Sequence, residues 1–346
     1  MGLQARIKLA RAERQRRRMR EGRQPPSLEV LPLSGAPSIY YLSPHSERPT
    51  GGIRVIYRHV DLLNALGMSA AVLHSEGYAR MTWFEHETRI ETPRSIRLKR
   101  DDLLVVPEYY GPGLDSLPKG VGKIIFNQGA HHTFDRLDFE ATAPGAPYRD
   151  LPDLRGILTV SEDSRRLLSL AFPDLSISMV RNVVDQKIFH AGAQERKRQI
   201  AFVPSRRFEE FEQLRHVLRS RGLGWELMPI RGLAEVEVAR VLRESAIFLS
   251  LSDRDGFGLP AAEAMACGCY VVGYTGGGGD EFFDPAFSAP VSGFVELLEN
   301  LIRATEQPLE VLADRGLQAS AAILSRYTAE GLRGDLMEFY GQHLGS

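Results

Sequence analysis

The chain has 346 residues, of which 43% are hydrophobic and 25% are charged, and its formal net charge is −1. These values are ordinary for a soluble globular protein, and the length is sufficient for two domains. They exclude a membrane-spanning chain, because no apolar run is long enough to cross a bilayer. The opening 26 residues have no apolar core, which excludes a secretory signal, so we predict a cytoplasmic protein.

The start of the chain is strongly basic. Residues 1–24 contain nine Lys or Arg and two Glu, whereas the remaining sequence is acidic. We interpret residues 1–26 as a basic arm that lies peripherally on anionic lipid at the inner face of a membrane or stays solvated. Non-specific contact with nucleic acid is also compatible with the charge, but no specific nucleic-acid site is predicted. Cys267 and Cys269 have no companion ligands, so we expect buried small residues in a reducing compartment and no metal site.

Two series of β-rich runs, each alternating with amphipathic stretches, follow Pro26. The runs are nearly all apolar, as in parallel strands covered on both faces. Between the first two, Ile53, Ile56 and Val60 share a helical face, and this helix is expected to end at Gly67. We predict strands at 38–44, 69–74, 102–108, 122–128, 156–162 and 176–180 in the first series, and at 200–205, 225–230, 246–252 and 269–274 in the second.

This alternation predicts an α/β protein with two Rossmann-like domains, each containing a parallel sheet with right-handed crossovers. A polar stretch interrupts the pattern and is interpreted as a linker, and from residue 293 onward the pattern is helical. We therefore predict a first domain at 27–185, a linker at 186–199, a second domain at 200–326 and a terminal helix at 327–346.

The most informative segment of the second domain is "DGFGLPAAE", residues 255–263. Pro260 favours a helix start, so the amides of the preceding turn and the positive helix end would suit a diphosphate. Asp255 and Glu263 repel phosphate, but ionised carboxylates accept hydrogen bonds from hydroxyl groups. A nucleotide sugar has a diphosphate between two groups that carry hydroxyls, so it suits both the phosphate-binding turn and the two flanking acids. The glycines of "TGGGGDE", residues 275–281, indicate close approach of the backbone to the same ligand.

The stretch "SDRDGFGLPAAEAMACGCYVVGYTGGGGDE" resembles the donor-site signature of family 4 glycosyltransferases of the GT-B fold, in which two acids flank a Gly-Phe-Gly-Leu-Pro turn. "TGGIRVIYRHVDLLNALGM", "ILTVSEDSRRLL", "VRNVVDQKIF" and "RYTAEGLRGDLMEFYGQHL" are also similar to this family, so the resemblance runs from about residue 38 to the end. It implies an acceptor-side first domain and a donor-binding second domain that face each other across a cleft, with the last helix crossing back onto the first domain. It also implies transfer with retention, without metal or cofactor, the nucleotide sugar being a co-substrate.

At the matching positions, the resemblance implies that Glu263 holds the ribose hydroxyls and that Asp255 holds the transferred sugar near its reacting carbon. Asp255 stands where the family has Glu, and two arginines, Arg206 and Arg207, stand where it has Arg and Lys. One of these arginines would bind the pyrophosphate, together with the amides that follow the first strand. The predicted donor-binding residues are Gly51, Gly52, Arg206, Arg207, Asp255, Gly256, Phe257, Gly258, Leu259, Glu263, Gly277 and Gly278.

Polar residues after the first-domain strands are expected on the opposite wall of the cleft. In similar enzymes a histidine often contacts the donor sugar, so either His131 or His132 is a candidate. We place His131 with Asp255 as the catalytic pair. The predicted acceptor-side residues are Asn127, Gln128, His132 and Glu108.

These inferences predict a hexosyltransferase that moves a sugar from a nucleotide donor to a glycan or lipid-linked acceptor in bacterial surface polysaccharide synthesis. Rhamnose from a dTDP-linked donor is one candidate. Two alternatives stay open, namely a nucleotide-sugar epimerase of the same fold and a non-catalytic glycan- or nucleotide-binding protein. A nicotinamide dehydrogenase is disfavoured, because no G-x-G-x-x-G turn follows the first strand.

Overall fold

The computed structural model describes residues 23–46, 49–75, 77–78, 81–204 and 206–344. The predicted basic arm lies outside these residues up to position 22. Within the described ranges, no helix is both long enough and apolar enough to cross a membrane.

The first domain is built on a parallel sheet of seven strands in the order β3-β2-β1-β4-β5-β6-β7. The strand order reverses between β1 and β4, and a crevice for ligands is expected beyond the carboxyl ends of the strands at such a point. β1, β2, β4 and β5 are buried along their whole length. The strands are β1 (Ile39–Leu42), β2 (Ala70–Leu73), β3 (Ile90–Glu91), β4 (Leu103–Pro107), β5 (Gly122–Asn127), β6 (Leu154–Thr159) and β7 (Ile177–Met179).

The second domain is built on a parallel sheet of five strands in the order β12-β11-β10-β8-β9. Its order reverses between β8 and β10, so a second crevice is expected beside the carboxyl ends of these two strands. The strands are β8 (Lys197–Phe202), β9 (Glu226–Pro229), β10 (Ser245–Leu251), β11 (Tyr270–Tyr274) and β12 (Ser288–Val291).

Helices cover the sheets and join the domains. One apolar cluster is continuous from the first sheet and its first helix to four helices of the carboxyl-terminal half. Two further clusters fill the opposite faces of the first and second sheets. The helices are α1 (Gly51–Ala65), α2 (Glu162–Ala171), α3 (Phe208–Arg221), α4 (Glu235–Glu244), α5 (Leu259–Ala266), α6 (Phe294–Thr305), α7 (Leu309–Arg326) and α8 (Ala329–His343).

The last helix, α8, packs on the first domain against α1. Tyr340 of α8 and Tyr41 of β1 are fully buried, and their hydroxyl oxygens are 2.7 Å apart. The Tyr41 hydroxyl also lies 3.1 Å from Nδ1 of His59 in α1. The amino end of α8 is capped by the Thr328 hydroxyl, which accepts a hydrogen bond from the Gly331 amide at 3.0 Å.

Each of the ten predicted strands has a counterpart in the structure, but two strands were not predicted, and β6 and β8 begin two and three residues before their predicted starts. β3 has only two residues, which is too short for a periodic signal, and β12 contains Pro290, which argues against a strand. β8 begins at Lys197 and ends at Phe202, although we predicted 200–205, so the predicted linker overlaps its first three residues. Lys197 and Arg198 are exposed at the amino-terminal end of β8, and their charges hid the start of the strand.

Candidate active site

A cleft of about 1020 Å³ lies between the carboxyl ends of the two sheets. This volume is at the upper end of the range for small-molecule sites. Both walls are formed by segments that follow strands at or near the two points where strand order reverses. The lining residues include Thr50, Gly51, Gly52, Arg54 and Gln128 from the first domain, and Arg206, Glu235, Asp255, Gly256, Phe257, Gly258, Leu259 and Glu263 from the second.

The first-domain wall is centred on the amino-terminal end of α1. This helix has no acidic residue in its first turn and no side-chain cap from Thr50, so no carboxylate of that turn offsets its partial positive charge. A β-carbon at Gly51 would lie 2.9 Å from Cδ1 of Leu259 across the cleft. Gly52 lies beneath Gln128, whose side-chain amide donates to the Gly52 carbonyl oxygen at 3.1 Å. The glycines thus let the helix end approach both the second domain and Gln128.

The second-domain wall is the turn at 255–258, which leads into α5. Gly258 has a φ of 93°, in the left-handed region that favours glycine, and α5 begins at the next residue. The glycine-rich loop, residues 275–281, is joined to this turn by backbone hydrogen bonds. The Asp255 amide donates to the Gly276 carbonyl at 2.8 Å, and the Gly278 amide donates to the Asp255 carbonyl at 3.1 Å. Backbone hydrogen bonds therefore fix the turn before any ligand binds.

Both acids of the turn segment lie on the cleft wall, and each is paired with an arginine. Asp255 forms an ion pair with Arg206, and its side chain is 14% exposed. Glu263 forms an ion pair with Arg54 of the first domain, and its side chain is 9% exposed. Burial raises the pKa of both carboxyl groups, and the neighbouring arginine opposes the rise in each case. The acids are thus placed as hydrogen-bond acceptors at the edge of the cavity.

The structure separates the two arginines that the sequence left as alternatives. Arg206 lines the cleft, and its side chain is 42% exposed. Arg207 turns away, because its guanidinium lies 3.7 Å from the Tyr274 ring centroid, donates to the Ser252 carbonyl at 3.0 Å and pairs with Glu210 at 2.8 Å. Arg206 is therefore the one of the two that can reach a ligand in the cavity.

The glycine-rich loop approaches other parts of the protein rather than the cavity. A β-carbon at Gly277 would lie 2.7 Å from the Asp163 carboxylate of the first domain. A β-carbon at Gly278 would lie 2.6 Å from the α-carbon of Phe257. Neither Gly277 nor Gly278 is among the described residues that line the cleft, so their contact with the donor stays a prediction.

Of the predicted acceptor-side residues, all of which the structure describes, only Gln128 lines the cleft. Asn127 is fully buried, and its side-chain amide donates to the Thr133 and Tyr148 hydroxyls at 2.7 and 3.0 Å, so it does not line the cleft and its acceptor role stays a prediction. Consecutive residues at a strand end point to opposite faces, which explains why Asn127 and Gln128 differ. Glu108 accepts a hydrogen bond from the Gln128 backbone amide at 3.0 Å, so it helps to position Gln128. Burial raises the pKa of the Glu108 carboxyl group.

Neither His131 nor His132 is among the described residues that line the cleft. Nε2 of His131 lies 3.1 Å from the Asp163 carboxylate, and Nδ1 of His132 lies 2.9 Å from the Asp135 carboxylate. Gln128 is the residue of this segment that lines the cleft. The catalytic roles of His131 and Asp255 therefore stay predictions, and in this structure the two residues are paired with Asp163 and Arg206 respectively.

Two charged residues of the cleft were missed by the sequence analysis. Arg54 on α1 bridges Glu263 and Glu235, the first residue of α4. Arg54 lies two residues after Gly52 in the helix, which could have marked it, but a charge in the first turns of an amphipathic helix also suits a solvated face. Glu235 resembles an ordinary helix-start acid in sequence.

Comparisons with known proteins agree with this architecture. Residues 179–321 match the family model of glycosyl transferases group 1. An alpha-1,6-glucosyltransferase of Actinobacillus pleuropneumoniae serotype 7 (strain AP76) is 27% identical over 232 residues, which are 66% of this chain and 69% of that protein.

Among solved structures, sucrose-phosphate synthase from Thermosynechococcus elongatus aligns with a TM-score of 0.64 at 13% identity, over 88% of this chain and 98% of that one. Anabaena Alr3699/HepE in complex with UDP and glucose aligns with a TM-score of 0.63 at 14% identity, over 88% of this chain and 99% of that one.

The protein therefore has the fold of the GT-B glycosyltransferases, as the sequence resemblance predicted. Residues 179–321, which include most of the second domain, are similar to the glycosyl transferases group 1, and the activity that this similarity supports is glycosyl transfer.

Proposed function

We propose that the protein transfers a hexosyl group from a nucleoside diphosphate sugar to a hydroxyl group of a glycan or lipid-linked saccharide, with retention of anomeric configuration. The observation that carries the proposal is the composition of the cleft. One wall has the amino-terminal end of α1 and the other has Arg206, while Asp255 and Glu263 lie on the rim of the same cavity. Cationic and hydroxyl-binding groups in one cavity suit a diphosphate with a sugar on either side.

The proposed donor position follows from these charges. The diphosphate lies at the start of α1, against Gly51 and Gly52. Arg206 reaches it by leaving its ion pair with Asp255 and binding phosphate oxygens instead. The ribose lies towards Glu263, and the transferred hexose lies between Asp255 and the Gln128 amide. UDP-glucose is the first donor to test, because one relative is named a glucosyltransferase and the HepE structure contains UDP and glucose. dTDP-rhamnose is the second.

In the proposed reaction, the bond between the anomeric carbon and the β-phosphate oxygen breaks, and its electron pair stays on the departing diphosphate. The acceptor hydroxyl oxygen bonds to the anomeric carbon on the same face, and its proton passes to the departing phosphate oxygen. The helix end and Arg206 stabilise the negative charge that develops on the leaving group, which is the usual role of preorganised dipoles and guanidinium groups. We propose no metal for this step.

The biological setting that we propose is bacterial surface polysaccharide synthesis in the cytoplasm, with the basic arm resting on the inner membrane face. The arm carries seven excess positive charges, and each adds roughly 1 kcal/mol of attraction near an anionic surface. Binding of the purified protein to anionic and to neutral lipid vesicles measures this attraction. Equal binding to both would contradict the membrane placement.

The function is tested by incubating the protein with UDP-, GDP- and dTDP-sugars and a mixture of saccharide acceptors. We expect a new glycoside, and proton NMR should show that its anomeric configuration is that of the donor. Isomerised donor without transfer would instead indicate an epimerase, and nucleotide binding without turnover would indicate a binding protein.

Arg206→Gln and Arg207→Gln form a matched pair for the same assay. A hydrogen bond to a charged group contributes about 1.5–3 kcal/mol, so Arg206→Gln should lower kcat/KM by roughly 10- to 150-fold. Arg207→Gln should mainly lower Tm, because the contacts of Arg207 are to its own domain. Equal losses of kcat/KM in the two variants would contradict the proposed diphosphate position.

A further inference from the structure

Arg54 is the charged residue through which the first domain reaches the acids of the second. Its Nη1 donates to Glu235 Oε1 at 2.5 Å, and its Nη2 donates to Glu263 Oε1. The guanidinium carbon also lies 5.8 Å from the ring centroid of Phe189, which follows the last strand of the first domain. The side chains of Arg54, Glu235 and Glu263 are 15%, 10% and 9% exposed, so the three form one nearly buried cluster, here called the Arg54 triad.

The planar guanidinium fixes the orientation of the two carboxylates. Both terminal nitrogens of Arg54 are engaged, one with each acid, so Glu263 is held through one oxygen while its other oxygen remains for a ligand. Without Arg54, two carboxylates would share a buried site, and like charges in such a site disfavour ionisation of both. The nearest other cation, Arg58, is already paired with Asp185 at 3.0 Å.

The position of Arg54 on α1 links the triad to the proposed diphosphate site. Arg54 lies three residues after Gly51, which is about 4.5 Å along a helix axis. A ribose joined to a diphosphate at the start of α1 therefore falls beside Glu263. The same helix would set the phosphate position and the orientation of the acid that receives the ribose.

We infer that Arg54 is a positioning residue for the donor, holding Glu263 so that its free oxygen accepts hydrogen bonds from the ribose 2′- and 3′-hydroxyls, and that Glu235 completes the same triad. This inference rests on the proposed function. It assigns Arg54 to recognition of the ribose through Glu263 and not to direct contact with phosphate.

The test compares binding of UDP and 2′-deoxy-UDP, and of GDP and 2′-deoxy-GDP, by calorimetry. A ribose hydroxyl bound to a carboxylate should make the ribonucleotide bind about 10- to 100-fold more tightly than its deoxy form in the wild type. In Arg54→Gln this ratio should fall below about threefold, and Glu263→Gln should lower it in the same way. Arg54→Lys should retain part of the ratio, because lysine keeps the charge without the planar fork.

The double variant Arg54→Gln/Glu235→Gln gives a second readout. Removing Glu235 as well removes the like charge beside Glu263, so this variant should recover part of the ratio lost in Arg54→Gln. A purely structural role for Arg54 predicts no recovery. The matched control is Arg181→Gln, which breaks a bidentate pair with Asp335, at 2.7 and 2.9 Å, outside the cleft and should leave the ratio unchanged.

Three outcomes would overturn the inference, and they differ from failure of the proposed function. Loss of affinity in Arg54→Gln with an unchanged ratio would show that Arg54 contacts phosphate directly. Lower Tm with unchanged affinity and ratio would show that the triad only joins the domains. No recovery in the double variant would show that Glu235 plays no part in positioning Glu263. A wild-type protein that binds no nucleoside diphosphate would refute the proposed function itself, and the inference with it.

Discussion

At Gly256 the second domain comes very close to the main chain of the first, and replacing this glycine with alanine tests whether the approach is needed for catalysis. A β-carbon at this position would lie 2.7 Å from the carbonyl carbon of Gln128, and closer still to its oxygen. Gly256 does not have a positive φ, so alanine causes no backbone strain of its own. The clash is therefore between the two domains, and the main chain of Gln128 cannot avoid it by changing rotamer.

The size of the effect follows from this distance. Two carbon atoms in ordinary contact are about 3.5–4.0 Å apart, so the turn and Gln128 must separate by roughly 1 Å. A displacement of about 1 Å in a catalytic site can cost 100-fold in rate, or about 2.7 kcal/mol of activation free energy. The domains can relieve the clash by moving apart, so we expect Gly256→Ala to change Tm by only a few degrees.

Donor turnover and thermal melting of the wild type and Gly256→Ala measure these two quantities. The control is Gly334→Ala in α8, where a β-carbon would meet nothing within 4 Å. Gly334→Ala should keep the wild-type kcat and gain up to about 1 kcal/mol of stability from better helix propensity. A wild-type kcat in Gly256→Ala would refute the argument, because the close approach would then play no part in the reaction.

Two further predictions concern the contact between α8 and the first domain. Burial lowers the pKa of His59 from 6.5 to about 3, so the unfolded chain binds a proton in this range that the folded protein does not. The free energy of unfolding should therefore fall as pH drops from 6.5 towards 3, by up to about 1.4 kcal/mol per pH unit from this residue. Thermal melts of His59→Phe should show a shallower fall over this range, and an identical fall would exclude His59 as its source. Tyr340→Phe should cost about 1 kcal/mol in urea unfolding, because Tyr41 keeps its contact with His59, whereas Tyr340→Ala should cost about 3–5 kcal/mol. Equal losses in the two variants would show that the hydroxyl pair, and not the buried ring, carries the stability.

The sheets were predictable because their signals are local. The strands that line the cleft are continuous apolar runs bounded by polar residues and glycine, and α1 ends as predicted, with Gly67 at a φ of 81°. β3 and β12 were missed for the opposite reason. A two-residue strand and a strand with proline have no periodic signal, and they form because a neighbouring strand supplies the hydrogen bonds.

The candidate site was only partly predictable, because neighbours in sequence diverge in space. Asn127 and Gln128 were treated alike, yet one is buried among hydroxyls and the other lies on the cleft wall. Arg206 and Arg207 diverge in the same way, because Arg207 adopts a φ of 47° and stacks on Tyr274. Whether a side chain points into the interior or into the cleft depends on which side of its backbone the rest of the protein packs against.

The sequence by itself determined the two α/β halves, the turn at 255–258 and the acids that flank it, since these depend on apolar periodicity, on glycine and proline geometry and on residue type. Only the tertiary structure decided which charges meet. Arg54 and Glu263 are 209 positions apart, and their contact exists because packing of one domain on the other brings α1 to α5. Electrostatic pairing acts over a few ångströms through space, so a pattern along the chain could name the charged residues but not the partner of each one.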